Sequence, residues 1–206
     1  MTTSLLLLRH GESTWNAERR WQGRADAPLS ALGEAQARAA ASVLAEVGPF
    51  DAVVTSTLQR ARRTGQLIAD GASFVLGAAI VDLGERSAGR WEGMTRAQIE
   101  AEYPGFLDAG ERPDGYEPDD AVVARALSAL TRLADANPAR RLVVVSHGGV
   151  IHALERHVFG PDHDWLRLDN LEGRWFEIVD GRLAVVGERV SLAGDSAAPT
   201  DVVGYA

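Results

Sequence analysis

The chain has 206 residues, 46% hydrophobic and 24% charged, a globular mixture long enough to bury a core. It contains no cysteine, and all 21 of its basic residues are arginine; disulfides, thiol nucleophiles, thiolate metal sites, a P-loop and a lysine Schiff base are therefore excluded. The net charge of -8 is uneven: residues 1–63 carry eight arginines against six acids, and the rest is strongly acidic, so no basic stripe offers itself to nucleic acid or an anionic membrane.

Leu5 to Leu8 has the pattern of a buried strand. It is too short for a secretory segment, and no apolar run approaches the roughly 18 residues of a membrane span, so the chain reads as cytoplasmic. Ala35, Ala39, Val43, Leu44 and Val47 recur at helical spacing, with Ser30 as N-cap and Gly48-Pro49 as the stop. Ala52 to Thr55 repeats the buried strand, and Leu58, Ala61, Gly65, Ile68 and Ala69 repeat the helix. Strand, helix, strand, helix predicts a parallel unit, and the fold class expected is α/β, a three-layer α/β/α sandwich with a mostly parallel central sheet.

Residues 92–120 break the alternation with nine acids, two arginines, Pro104, Pro113 and Pro118. Such an excursion is a lid or specificity wall, or else a solvated connection. Val123, Leu127, Leu130 and Leu133 then predict a helix, Leu142 to Val145 a buried strand, and Val150 to Phe159 another helix. Trp175 to Val179 and Leu183 to Val186, around Asp180-Gly181, predict a hairpin. Residues 1–190 are expected to form one domain, and 191–206 a flexible tail.

Chemistry concentrates where the buried strands end. Leu8 runs into Arg9-His10-Gly11-Glu12, Val145 into Ser146-His147-Gly148-Gly149, and Val54 into Thr55-Ser56 with Arg60 opening the next helix. Ligands of open parallel sheets bind at the carboxyl ends of the strands, so two histidines and two arginines are expected to converge with glycines and helix N-termini on a phosphate-sized anion. Phosphoryl transfer needs a nucleophile, positive charge around the equatorial oxygens and an acid for the leaving oxygen. With lysine and cysteine absent, histidine is the natural covalent nucleophile. Glu85, after the apolar run Ile80-Val81-Asp82-Leu83, is expected at a fourth strand end as the proton donor.

Leu8 to Asn16 (Leu-Arg-His-Gly-Glu-Ser-Thr-Trp-Asn) strongly resembles the signature of the histidine phosphatase superfamily, phosphoglycerate mutase-like branch. The match continues through Gln22-Gly23, Asp26, Pro28-Leu29-Ser30, Gly33, Gln36-Ala37, Ser56, Leu58, Arg60-Ala61 and Thr64. Glu85, Gly89 to Gly93 and Ser146 to Gly149 complete it, in the family's order. By that resemblance His10 is the phosphorylated nucleophile; Arg9, Arg60 and His147 hold the phosphoryl group; and Glu85 protonates the leaving oxygen. Asn16, Gln22, Gly23 and Gly148 fall at positions lining the phosphate and substrate site. The resemblance implies neither cofactor nor metal, and a small phosphorylated substrate as the partner. Two departures bear on the substrate: Gly115-Tyr116-Glu117-Pro118-Asp119 where many phosphatase relatives have Gly-Gly-Glu-Ser, and Arg86, which is similar to the mutases.

Other residues admit plainer readings. Arg62 and Arg63 read as a solvated helix face; Arg19, Arg20 and Arg24 stand between substrate contacts and solvated charge; Trp15, Trp21, Trp91, Tyr103, Phe106 and Tyr116 stand between an entrance and ordinary packing. His147, His152 and His157 are five apart, about 140° around a helix, which does not make a shared metal face. His163, in Pro161 to Asp164, is expected to face solvent. The leading expectation is a metal-independent phosphomonoesterase working through phosphohistidine. The alternatives are a phosphoglycerate mutase and a non-catalytic phospho-ligand module.

Overall fold

The structure, a computed structural model, describes residues 2–160, 167–179 and 182–192. Among them, six strands form one sheet in the order β3-β2-β4-β1-β5-β6. The strands are β1 (Thr3–Arg9), β2 (Ala52–Ser56), β3 (Leu76–Ile80), β4 (Arg141–Ser146), β5 (Glu172–Val179) and β6 (Arg182–Ser191). The first four are parallel, and β5 and β6 are antiparallel additions. The helices are α1 (Thr14–Ala17), α2 (Ala31–Val47), α3 (Gln59–Ala72), α4 (Arg96–Glu102), α5 (Asp119–Ala136) and α6 (Gly148–Phe159). No helix among the described residues is long and apolar enough to cross a membrane.

Strand alternation builds the three layers. Leu5 and Leu7 point to one face with Leu142 and Val144, meeting Val122, Ala126 and Leu130 of α5 and Val150, Ile151 and Leu154 of α6. Leu6 and Leu8 point to the other with Val143 and Val145, meeting Ala40 and Leu44 of α2 and Ala61 and Ile68 of α3. Each fully buried leucine contributes roughly 1.5–3 kcal/mol relative to exposure. The continuous apolar runs of β1 and β4 therefore follow from burial on both faces.

Two expectations are corrected. The buried face of α2 is Gly33, Gln36, Ala37, Ala40, Ala41 and Leu44, whereas Ala35 and Ala39 are exposed and Val43 and Val47 lie at 36% and 50% exposure. Alanine on every side leaves little contrast to read, and Gln36 is buried because its side-chain oxygen accepts the Glu12 N–H at 2.9 Å. In α5 the expected helix is present, and Val123, Leu130 and Leu133 pack on the core beside Val122, Ala126 and Ala129. Glu85 is not at a strand end: β3 stops at Ile80, and Val81–Leu83 form a turn of 3-10 helix. The expected hairpin strands are present and longer than their apolar cores, while the Asp180-Gly181 turn, His163 and residues 193–206 lie outside the described residues.

Candidate active site

Register places the two histidines side by side. β1 and β4 pair in parallel from Ser4 opposite Arg141 to Arg9 opposite Ser146, so His10 and His147 leave neighbouring strands at the same level. Their rings meet edge to face, with centroids 5.1 Å apart. β2 flanks β4 with Thr55 opposite Val145, which brings Ser56 to His147, and the Ser56 Oγ to His147 Nε2 distance is 2.6 Å. Arg60, in the first turn of α3, reaches the same point and donates from Nε to His10 Nε2 at 3.1 Å.

All of these groups are buried, Arg60 and His147 at 0% exposure and His10 at 2%. Burial, reinforced by the charges of Arg60 and Arg9, holds the pKa of His10 well below the ordinary histidine value, against the opposing Gly11 carbonyl. Burial does the same to His147, helped by Arg60 and His10. His10 is therefore neutral, and its partners fix the tautomer: Arg60 donates to Nε2, so Nδ1 carries the proton and donates to the Gly11 carbonyl at 2.6 Å. The lone pair on Nε2 is left facing the arginine. His147 Nδ1 is buried without a hydrogen-bond partner.

Arg60 is itself braced. Its NH1 donates to the Ala25 carbonyl at 2.7 Å and its NH2 to the Gly23 carbonyl at 2.9 Å. Asp26 caps α3 from outside by accepting the Gln59 N–H at 2.6 Å, which pins residues 23–26 to the helix that carries Arg60. Gly23 sits at φ 50°, and any side chain there would run into Glu92 and the Ala88 N–H. Gln22 accepts from the Ser13 hydroxyl at 2.8 Å, and Ser13 and Asn16 cap α1 reciprocally. Arg9 donates to the Leu168 carbonyl at 2.6 Å and packs near Gly148.

Glu85 is 5% exposed and joins the site through α6. One carboxylate oxygen accepts the Arg86 N–H at 2.8 Å and the other the Gly149 N–H at 3.2 Å. The loop beneath is tied down by Ser146, whose hydroxyl donates to the Leu83 carbonyl at 2.8 Å, and by Arg125, which donates to the Asp82 and Gly84 carbonyls at 2.7 Å. Arg125 is in turn held by both oxygens of Glu117. His10 thus meets Arg60 and His147, Arg60 reaches the Gly23 carbonyl, Arg9 borders Gly148, and Glu85 meets the same helix one residue on at Gly149, while Asn16 and Gln22 are joined through Ser13.

Sequence reasoning missed the residues that reach in from afar. Asn170 donates to the His10 carbonyl at 2.8 Å and is 3.4 Å from Asn16 Oδ1, and no motif around it signals this. Glu117, Asp119 and Arg125 support the Glu85 loop across more than 30 residues of sequence. Arg62 is exposed and Arg63 pairs with Glu34, in line with a solvated face. Arg20 pairs with Glu18 and donates to the Gly93 carbonyl, and Arg24 pairs with Glu117. Ile99 and Leu107 of the excursion pack with Trp21 and Trp91 from outside it, and Tyr103, Phe106 and Tyr116 lie against them, so packing accounts for most of the aromatics. His152 is buried beside Glu155, and His157 is exposed.

Known proteins resemble this chain in sequence and fold. Glucosyl-3-phosphoglycerate phosphatase of Mycobacterium tuberculosis is 33% identical over 93% of this chain and 97% of its own. A metal-independent phosphoserine phosphatase of Arabidopsis thaliana is 36% identical over 74% of this chain and 67% of its own. The solved structure of Bacillus stearothermophilus YhfR superposes with a TM-score of 0.80 at 30% identity, over 90% of this chain and 96% of that one. The profile of the histidine phosphatase superfamily, branch 1, matches residues 5–189. The chain therefore belongs to the histidine phosphatase superfamily, and the two curated relatives described here are phosphatases by name.

Proposed function

We propose that the protein hydrolyses phosphomonoesters through a phosphohistidine at His10, without a metal. The observation that carries this is the neutral, buried His10, whose Nδ1–H is held by Gly11 while Nε2 faces Arg60 and the His147 ring. The lone pair of Nε2 attacks phosphorus, the bond to the leaving oxygen breaks, and Glu85 in its acid form gives that oxygen a proton. The Arg60 and Arg9 charges and the unpartnered Nδ1 of His147 take up the charge on the equatorial oxygens. Glu85, now a carboxylate, accepts a proton from water as the water attacks phosphorus, and the N–P electron pair returns to Nε2.

The substrate in this reading is a small phosphorylated metabolite in the cytoplasm, of the kind named for the relatives, and residues 92–120 form its specificity wall. Hydrolysis is favoured over exchange between phosphoglycerates by the state of the entrance cations. Arg86 is held by Asp119, Arg24 by Glu117, and Arg96 by Glu100 and Asp108, while Arg112 lies over the Trp91 and Tyr116 rings. The acids beside Arg86, Arg24 and Arg96 offset the attraction these cations would offer a multiply anionic intermediate, so water competes for the phosphohistidine. The test is to supply 3-phosphoglycerate with its bisphosphate primer and follow both reactions. Phosphate release with negligible formation of 2-phosphoglycerate is expected, and interconversion faster than release would overturn hydrolysis.

A further inference from the structure

We propose that Asp119 is a positioning residue for Glu85, acting through Arg86; the inference rests on Glu85 being the proton donor. Arg86 follows Glu85 directly and is 6% exposed. Its NH2 donates to Asp119 Oδ1 at 2.6 Å and to the Gly149 carbonyl at 3.2 Å, and its NH1 lies 3.4 Å from the Tyr116 hydroxyl. Its Nε is buried with no hydrogen-bond partner. A side chain begun at Gly149 would meet both Glu85 Oε1 and Arg86 Nε, so the unpartnered N–H and the catalytic carboxyl border the same small space.

That proximity is a hazard to an acid. A guanidinium free to turn would fork onto the Glu85 carboxyl, a strong bidentate pairing that would occupy the oxygens meant for the leaving group. Asp119 is the competing carboxylate: it opens α5, draws the far end of the guanidinium away from Glu85, and is itself steadied by Arg156 at 3.0 Å on its other oxygen. The same pull holds Arg86 on the Gly149 carbonyl, and so steadies the residue whose N–H supports Glu85. Asp119 touches neither His10 nor the phosphoryl pocket. Its influence is confined to the leaving-group side of the reaction.

The experiment compares kcat/KM for an alkyl phosphate and for an aryl phosphate with a good leaving group in wild type, Asp119→Asn, Glu85→Gln and the double variant. A generally weakened fold lowers both substrates alike. Asp119→Asn is expected to lower the alkyl substrate about 10-fold or more, the scale of one charge-assisted hydrogen bond, while the aryl substrate stays within about threefold. In the Glu85→Gln background the same substitution should add nothing. Asp119→Ser repeats the comparison with a second uncharged side chain, and thermal melting of both variants checks that the fold is kept. Equal losses on both substrates, or full additivity with Glu85→Gln, overturn the inference. An unchanged ratio in Glu85→Gln itself overturns the assignment of Glu85 and this inference with it; an unchanged ratio in Asp119→Asn alone overturns only the latter.

Discussion

Two neutral histidines sealed under two arginines make stability depend on pH in a calculable way. The perturbation is a fall in pH from 7.5 to 5.5. Burial holds both His10 and His147 well below the ordinary value of 6.5, which the unfolded chain retains. Above about 6.5 neither state binds a proton at these sites and stability is unaffected. Below it the unfolded chain takes up a proton at each and the folded protein does not, so stability is lost as pH falls, down to the folded pKa values. Each histidine costs at most about 1.4 kcal/mol per pH unit, so the pair costs up to about 3 kcal/mol by pH 5.5, at most roughly 6–12 °C in Tm for a chain of this size. Ordinary carboxylates titrate mainly below this window. Thermal melting of wild type, His10→Gln and His147→Gln across the range tests the reasoning. Each single variant should lose about half of the wild-type slope. Identical slopes in all three proteins, or a flat wild-type profile, would refute the protonation states assigned to the site.

Gly149→Ala should separate folding from catalysis. Gly149 is in the first turn of α6, and an alanine methyl there would meet only the ends of the Glu85 and Arg86 side chains, so melting should change little while the displaced Glu85 carboxyl lowers alkyl phosphate turnover on the order of 100-fold. Steady-state rates unchanged from wild type would show that Glu85 is not held where the acid must be. Arg60→Ala should cost about 100-fold or more in kcat, and Arg62→Ala, two residues on and exposed, should cost almost nothing. A reversal of that order in parallel assays would mean that Arg60 does not face the reacting phosphoryl group.

Much of the site was legible because its parts hang on the least ambiguous elements. Leu5 to Leu8 and Leu142 to Val145 are apolar without interruption, as strands covered on both faces must be, and the residues after them fall at the carboxyl edge of a parallel sheet. Arg60 follows from a helix beginning directly after β2. The buried face of α2 was not legible, because alanine occupies both its sides and the polar Gln36 is admitted only by its bond to Glu12. Nor was the support of Glu85. Glu117 and Asp119 are acids in a stretch that reads equally as a lid or a solvated connection, Arg125 lies in the helix after it, and only the return of α5 past the Glu85 loop pairs them. Long-range ion pairs leave no period in a sequence, whereas strand ends do.

The phosphohistidine at His10 is tested most directly by trapping it. Purified protein in chelator is mixed with a radiolabelled phosphomonoester, quenched in alkali within a turnover, and the label mapped by peptide. The account predicts an acid-labile, alkali-stable label on the peptide that carries His10, formed and discharged fast enough to sustain turnover, and absent from His10→Ala together with activity. Label on another residue, or sustained turnover by His10→Ala, would contradict it.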